Sequence, residues 1–301
     1  MNNEIRYYLT GNNYIIKKIT IKGKVIIIDV ENRLLVVKKR DNKLRKLFKY
    51  LTSRSFIYYP QIIHQTDNYD LYEYISNVEM PKEQKAADIM KLVANLHNKT
   101  TFYKEINENY YKEIYENIIN KINYLNNYYN DIAEIIEKEE YMSPSHYAFI
   151  RNISKVFLSL NYAKFSINEW YKIIKDKKRV RIVNLHNNLT LDHYLVNDKP
   201  YFISWSKSIK DIPIYDIIKM YKKYYQELDF QDLLKIYEIN YPWLLEEKRL
   251  FFCLISIPDK INFNIKEFKL CGIIRNFYDY LTTSQNFIND YFPQKKEHSK
   301  E

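Results

Sequence analysis

Glycine is nearly missing from this 301-residue chain, which has only Gly11, Gly23 and Gly272. That excludes a loop in which several glycines let backbone N–H groups close on a phosphate. Cysteine is as scarce. Cys253 and Cys271 each stand in an apolar helical context, with no second Cys and no His within four residues, so zinc-type spacing is excluded. Both read as reduced, buried thiols, and the scattered histidines give no structural metal site. No apolar run approaches the roughly 20 residues that cross a bilayer. Val25–Val30 and Leu250–Ile257 have the length of a buried strand or part of a helix. Met1–Arg6 is polar and charged and lacks the apolar segment of a signal peptide. The expectation is a cytoplasmic protein with no membrane partner.

What is present describes a globular chain. Hydrophobic residues make up 46% and charged residues 28%, enough for one large domain or two modest lobes. The formal charge of +10 raises nucleic acid as a partner. Yet the lysines are spread along the chain and mixed with Glu and Asp, apart from clusters at Lys38–Arg40 and Lys175–Arg181. The bias to Ile, Asn, Lys and Tyr is that of an AT-rich coding sequence, so nucleic-acid binding is not expected.

The first third reads as sheet. Strands are expected at Ile15–Ile21, Val25–Val30 and Leu34–Lys38, with turns at Lys22-Gly23-Lys24 and Glu31-Asn32-Arg33. Lys43–Leu51 follows with helical spacing, and then two strands, Ile62-Ile63 and Tyr69–Ile75. Past Met80-Pro81 the character changes to long helices. Ile89, Leu92, Val93 and Leu96 share one face of a helix over Lys82–Asn98, and Ile114–Ile136 forms a second. Ser143 is an N-cap with Pro144 at the first helical position, opening a helix expected to run to Ile174. A mixed region comes next: a strand at Val180–Leu185, a polar loop over His186–His193, and strands at Tyr194–Val196 and Tyr201–Trp205. Helices return after Pro213, first with Ile214, Ile217, Ile218, Tyr221 and Leu228 on one face, then at Phe230–Ile239, Pro242–Ile257 and Ile265–Leu281. From Gln294 on the chain is charged and expected to fray. Ser76–Pro81 is the boundary, dividing the chain into an N-terminal lobe, 1–76, and a helical C-terminal lobe, 77–301.

The loop is the informative segment. Val183-Asn184-Leu185-His186-Asn187-Asn188-Leu189-Thr190-Leu191-Asp192-His193 resembles the catalytic segment of the aminoglycoside phosphotransferase and choline kinase superfamily, whose pattern is H-G-D-x-x-x-x-N before an apolar strand. Tyr201-Phe202-Ile203-Ser204-Trp205 resembles its apolar-Ile-Asp-Trp segment, and Asp211-Ile212-Pro213-Ile214-Tyr215-Asp216 its following helix start. Together with Leu96-His97-Asn98-Lys99-Thr100, the segment looks most like the bacterial spore-coat kinase-like branch. The resemblance implies an α+β, protein-kinase-like two-lobed fold: a small antiparallel-sheet N-lobe, a large mainly helical C-lobe, and a cleft between them for a nucleotide or small-molecule ligand.

Carried across, the family's chemistry is altered at each key position. The catalytic base position is Asn188, and a neutral amide cannot take a proton near pH 7. The two metal-binding positions are His193 and Ser204, poor substitutes for the oxygen ligands Mg²⁺ prefers. On the nucleotide side, Gly23 stands where the phosphate loop belongs and Lys38 where the phosphate-contacting lysine belongs. No acidic residue between Lys43 and Tyr59 offers Lys38 a helix partner; Asp70 and Glu73 are the substitutes. His186 corresponds to a residue that organises the loop, and Asp192 is a substitute base. The expectation is a catalytically degenerate relative serving as a binding or spore-coat-associated structural protein, with no cofactor assigned. The alternative is a divergent phosphotransferase using ATP and Mg²⁺ on a small hydroxylated substrate, which requires Asp192 or His193 to replace the lost groups.

Overall fold

Three β-branched runs near the N-terminus and two further strands pair into one antiparallel sheet. In the computed structural model, which describes residues 3–23, 25–31 and 33–292, these are β1 (Ile16–Lys22), β2 (Val25–Val30), β3 (Arg33–Lys39), β4 (Ile62–Gln65) and β5 (Tyr69–Glu73). Their order across the sheet is β1-β2-β3-β5-β4. Lys24 and Asn32 of the two expected turns, and the expected frayed segment from Gln294, lie outside the described residues.

Two helices flank this sequence: α1 (Asn3–Gly11), and α2 (Asn42–Ser53), which joins β3 to β4. Asp41 caps α2, its carboxylate accepting from Lys43 N at 2.8 Å and Leu44 N at 3.3 Å. α1 is a departure from the sequence expectation, which assigns nothing before Ile15. Its Ile5 and Leu9 are fully buried against Ile28, Val30, Leu35, Val37 and Leu71. Each buried side chain contributes about 1.5–3 kcal/mol, enough to hold a helix this short.

The chain divides into two compact units, Met1–Thr100 with His186–Ile209, and Thr101–Leu185 with Lys210–Glu301. The first unit holds the sheet, α1, α2, α3 (Lys82–Thr100) and the loop that follows His186. On α3 the expected face of Ile89, Leu92, Val93 and Leu96 is buried.

The second unit contains β6 (Phe102–Glu105), α4 (Tyr110–Glu137), α5 (Pro144–Ile150), α6 (Ile153–Ile174) and β7 (Arg179–Leu185). The expected single helix from Pro144 to Ile174 is two helices. The break falls at Arg151-Asn152, where the Asn152 amide turns back to the Ala148 carbonyl at 3.1 Å. Ser143 does cap α5, accepting from His146 N. Later elements are β8 (Tyr194–Val196), β9 (Pro200–Phe202), β10 (Ile209–Asp211), α7 (Ile214–Tyr224), α8 (Phe230–Asn240), α9 (Leu245–Ser256) and α10 (Glu267–Tyr291); β8 and β9 belong to the first unit. β10, β7 and β6 make a three-stranded sheet, and β8 pairs with β9. The expected strand over Tyr201–Trp205 ends at Phe202, because Ser204 takes a left-handed φ of 64°.

Many tyrosines in the second unit are core aromatics with a paired hydroxyl. Tyr129, Tyr278 and Tyr280 donate to the carbonyls of Asp259, Phe149 and Ile255 at 2.6–2.7 Å, as buried phenols require. Cys253 is fully buried, but Cys271 is half-exposed, which corrects the expectation of two buried thiols. It sits on an α10 surface beside Glu267. Among the described residues no helix is long and apolar enough to cross a membrane.

Candidate functional site

The residues singled out in the sequence fall within the first unit: Gly23 and Lys38 on its sheet, and His186, Asn188, Asp192, His193 and Ser204 on the segment after β7. His186 is fully buried. Its ring packs edge-on to Trp205 at 4.6 Å and against Phe202 at 5.0 Å, and its Nε2 lies 2.8 Å from the Ile203 carbonyl. These contacts fix the start of the loop to the Phe202–Trp205 segment.

Asn188, His193 and Ser204 come together by hydrogen bonds to one another's backbone. His193 Nδ1 donates to the Asn188 carbonyl at 2.8 Å, and the Asn188 amide donates to the Ser204 carbonyl at 3.3 Å. The main chain reinforces this: Ile203 N donates to the His193 carbonyl at 2.9 Å and His193 N to Thr190 O at 3.1 Å. Asn187 and Ser204 both have positive φ, 61° and 64°. Asn tolerates that region readily; Ser does so at a cost of about 1–2 kcal/mol. Thr190 Oγ1 is buried with no hydrogen-bond partner among the described residues. Asp192 points to solvent and makes no hydrogen bond or ion pair among the described residues.

The donor set at these three positions is one amide, one imidazole and one hydroxyl. Mg²⁺ in a phosphate site is held through carboxylate oxygens, so these residues do not fit it. Asn188 and His193 also commit a nitrogen each to the loop's own carbonyls. Among the described residues no group of three or more His, Cys, Asp or Glu side chains could hold a metal ion.

On the sheet, Lys38 of β3 stands in register with Asp70 of β5, so both side chains leave the same face. They form no ion pair. The Lys38 ammonium lies over the Tyr72 ring, 5.5 Å from its centroid, and burial pushes its pKa down. Asp70, fully buried, is taken by Arg45 of α2: Nε donates to Oδ1 at 2.8 Å and Nη2 donates to the same oxygen. The guanidinium also donates to Thr66 O at 3.0 Å. Glu73 is three residues on from Asp70 and so faces the opposite side, where it accepts from Gln61 N at 3.1 Å. A strand lysine paired with a helix carboxylate is the arrangement of active kinases. Here the polarity is reversed, with the helix carrying the cation and the strand the anion. That pair escapes a search for an acid on α2; its signal was Arg45 on the buried side of a helix and Asp70 inside an apolar strand. Gly23, with φ of 60°, has nothing within 4 Å of where a side chain would begin. It is the residue a tight β1–β2 turn requires.

A five-stranded antiparallel sheet with one helix between its third and fourth strands, followed by long helices and a loop hung from β7, is the protein-kinase-like α+β fold expected from the sequence. Solved structures share it. An aminoglycoside phosphotransferase from Alicyclobacillus acidocaldarius subsp. acidocaldarius DSM 446 matches with a TM-score of 0.67 at 7% identity, over 91% of this chain and 91% of that one. The AMP-bound spectinomycin phosphotransferase APH(9)-Ia matches with a TM-score of 0.50 at 12% identity, over 93% and 90%. No protein-family model and no curated protein matches the sequence. At these identities the likeness is one of fold.

Proposed function

We propose that this chain is a catalytically degenerate relative of the aminoglycoside phosphotransferases and choline kinases, one that binds a ligand without transferring a phosphoryl group. The observation that carries this reading is the donor set at Asn188, His193 and Ser204. A neutral amide cannot serve as general base, and an imidazole and a hydroxyl leave the developing phosphoryl charge without the metal clamp that dominates such catalysis. In this reading residues 1–76 form the nucleotide-side lobe and 77–301 the helical lobe, with Lys38 and the Gly23 turn facing any anionic ligand. Resemblance of the loop and of Leu96–Thr100 to the spore-coat branch supports a coat-associated role, to be checked by whether the protein extracts with the coat fraction of spores.

Asp192 supports the second reading, a divergent ATP-dependent phosphotransferase for a small hydroxylated substrate. Its exposed carboxylate is uncommitted among the described residues, four residues from Asn188, and would take the substrate proton. Thermal-shift titration with ATP, with and without Mg²⁺, separates the two. A ligand at a hundred times its Kd adds about 2.7 kcal/mol, a rise on the order of 5 °C for a chain this size. Degeneracy predicts the same curve with and without Mg²⁺; a metal-dependent rise of that size favours the phosphotransferase.

A further inference from the structure

A cavity of about 630 Å³ opens within the second unit, walled by the start of β7, the C-terminal end of α6 and the N-terminal end of α9. None of the residues discussed above as catalytic or nucleotide-binding lines it. Its floor is apolar, with Trp170, Ile174, Val180 and Leu250 all buried. Its charged groups are four cations, Lys177, Lys178, Arg179 and Arg181, against two carboxylates, Glu246 and Glu247.

Both carboxylates are already committed. Glu247, 4% exposed, accepts from Arg181 Nε at 2.9 Å and from Leu244 N at 3.0 Å. Arg181 also donates to Pro242 O at 3.0 Å and lies over the Tyr241 ring, 4.4 Å from its centroid. Glu246 pairs with Lys177. The cationic surplus therefore rests on two residues. Arg179 meets Glu105 at 3.0 Å with both side chains mostly exposed, a pairing water weakens. Lys178 has no ion pair among the described residues.

We propose that this cavity is a binding site for a small amphipathic anion. The ligand has a planar or aliphatic apolar body lying against Trp170, Val180 and Leu250, and a carboxylate, sulfonate or phosphate group at Lys178 and Arg179. The volume is that of ordinary small-molecule pockets, and an apolar lining with a few convergent polar groups is their usual make-up. Burial of the body supplies affinity, and the basic rim selects anions over neutral analogues.

The probe is 8-anilinonaphthalene-1-sulfonate, with 1-anilinonaphthalene as the same body lacking the anion. Fluorescence titration of the full chain is expected to show one saturable class of site for the sulfonate and binding at least tenfold weaker for the neutral compound. Charge reversal by K178E/R179E, at exposed positions that spare the fold, is expected to weaken the sulfonate at least tenfold. Leu244→Trp, which fills the cavity, is expected to abolish saturable binding. Lys121→Glu with Lys164→Glu, two exposed changes on α4 and α6, serves as the control matched in net charge. Equal affinity of K178E/R179E and K121E/K164E for the sulfonate would overturn the proposal, as would equal wild-type affinity for the two probes.

Discussion

Replacing Arg45 with methionine removes the guanidinium from Asp70, whose side chain has no access to water. One Asp70 oxygen already lacks a partner among the described residues, so the substitution strips the carboxylate of its remaining side-chain bonds. Breaking a buried ion pair from one side costs about 3–5 kcal/mol, a large part of the roughly 5–15 kcal/mol that stabilises a typical domain. Lys38 modifies that cost. It stands opposite Asp70 in register, and its ammonium can leave the Tyr72 ring for the abandoned carboxylate. R45M alone should therefore fall near the lower end of the range, K38M alone should cost about 1 kcal/mol or less, and R45M/K38M should exceed their sum by at least about 1 kcal/mol. Urea denaturation followed by circular dichroism, with the emission of Trp205 (the first unit's single tryptophan) isolated in a W170F/W243F background, reads these values. Strict additivity of the two substitutions, or a loss under about 1 kcal/mol for R45M, would refute the reversed-pair account of this sheet face.

Three other outcomes are open to simple measurement. Burial holds the Lys38 ammonium below the ordinary lysine pKa, so a larger share of it is neutral at any pH below that range. Its acylation, followed by peptide mass spectrometry, should reach half-maximal rate at lower pH than that of a free lysine side chain; a profile superimposable on the free side chain's counts against a desolvated Lys38. Desolvation, then the neighbouring Glu267, raises the Cys271 thiol, and burial raises Cys253. A disulfide reagent near pH 8 should accordingly modify one thiol slowly in the folded protein and both in denaturant, whereas two fast native thiols would contradict the packing of α9 against α6. N188D/S204D places carboxylates at the positions proposed for the base and one metal ligand, and Asp tolerates the left-handed backbone at 204. If the proposed degeneracy holds, it should acquire an Mg²⁺-dependent ATP thermal shift absent from the wild-type chain; its failure to do so would count against that proposal.

Most strands of the first sheet were legible because runs such as Val25–Val30 are β-branched and bounded by turn residues. The face of α3 was legible because four apolar residues repeat at helical spacing. α1 was not. Its contribution to the core is Ile5 and Leu9, too few to register as a periodic face, and its stability comes from the sheet beneath it. β6 and β10 are four and three residues long and mostly exposed; pairing with β7, rather than any local pattern, makes them strands. The break between α5 and α6 has no Gly or Pro to announce it. At the candidate site, Asn188, His193 and Ser204 were singled out together only through the family resemblance, and the hydrogen bonds that tie them together depend on the left-handed turn at Ser204. The Arg45–Asp70 pair was missed for another reason: a search for an acid on α2 to meet Lys38 of β3 passes over a helix cation that pairs instead with an acid on β5.

α1 bears on how the protein should be handled. It shields the apolar side of β2, β3 and β5 from water with two side chains on nine residues. A shortened version beginning at Ile15 would present Ile28, Leu35, Val37 and Leu71 as a bare greasy plane on a twisted ribbon. Such a plane invites a second copy to stack upon it, so trimming this end for expression would favour aggregates.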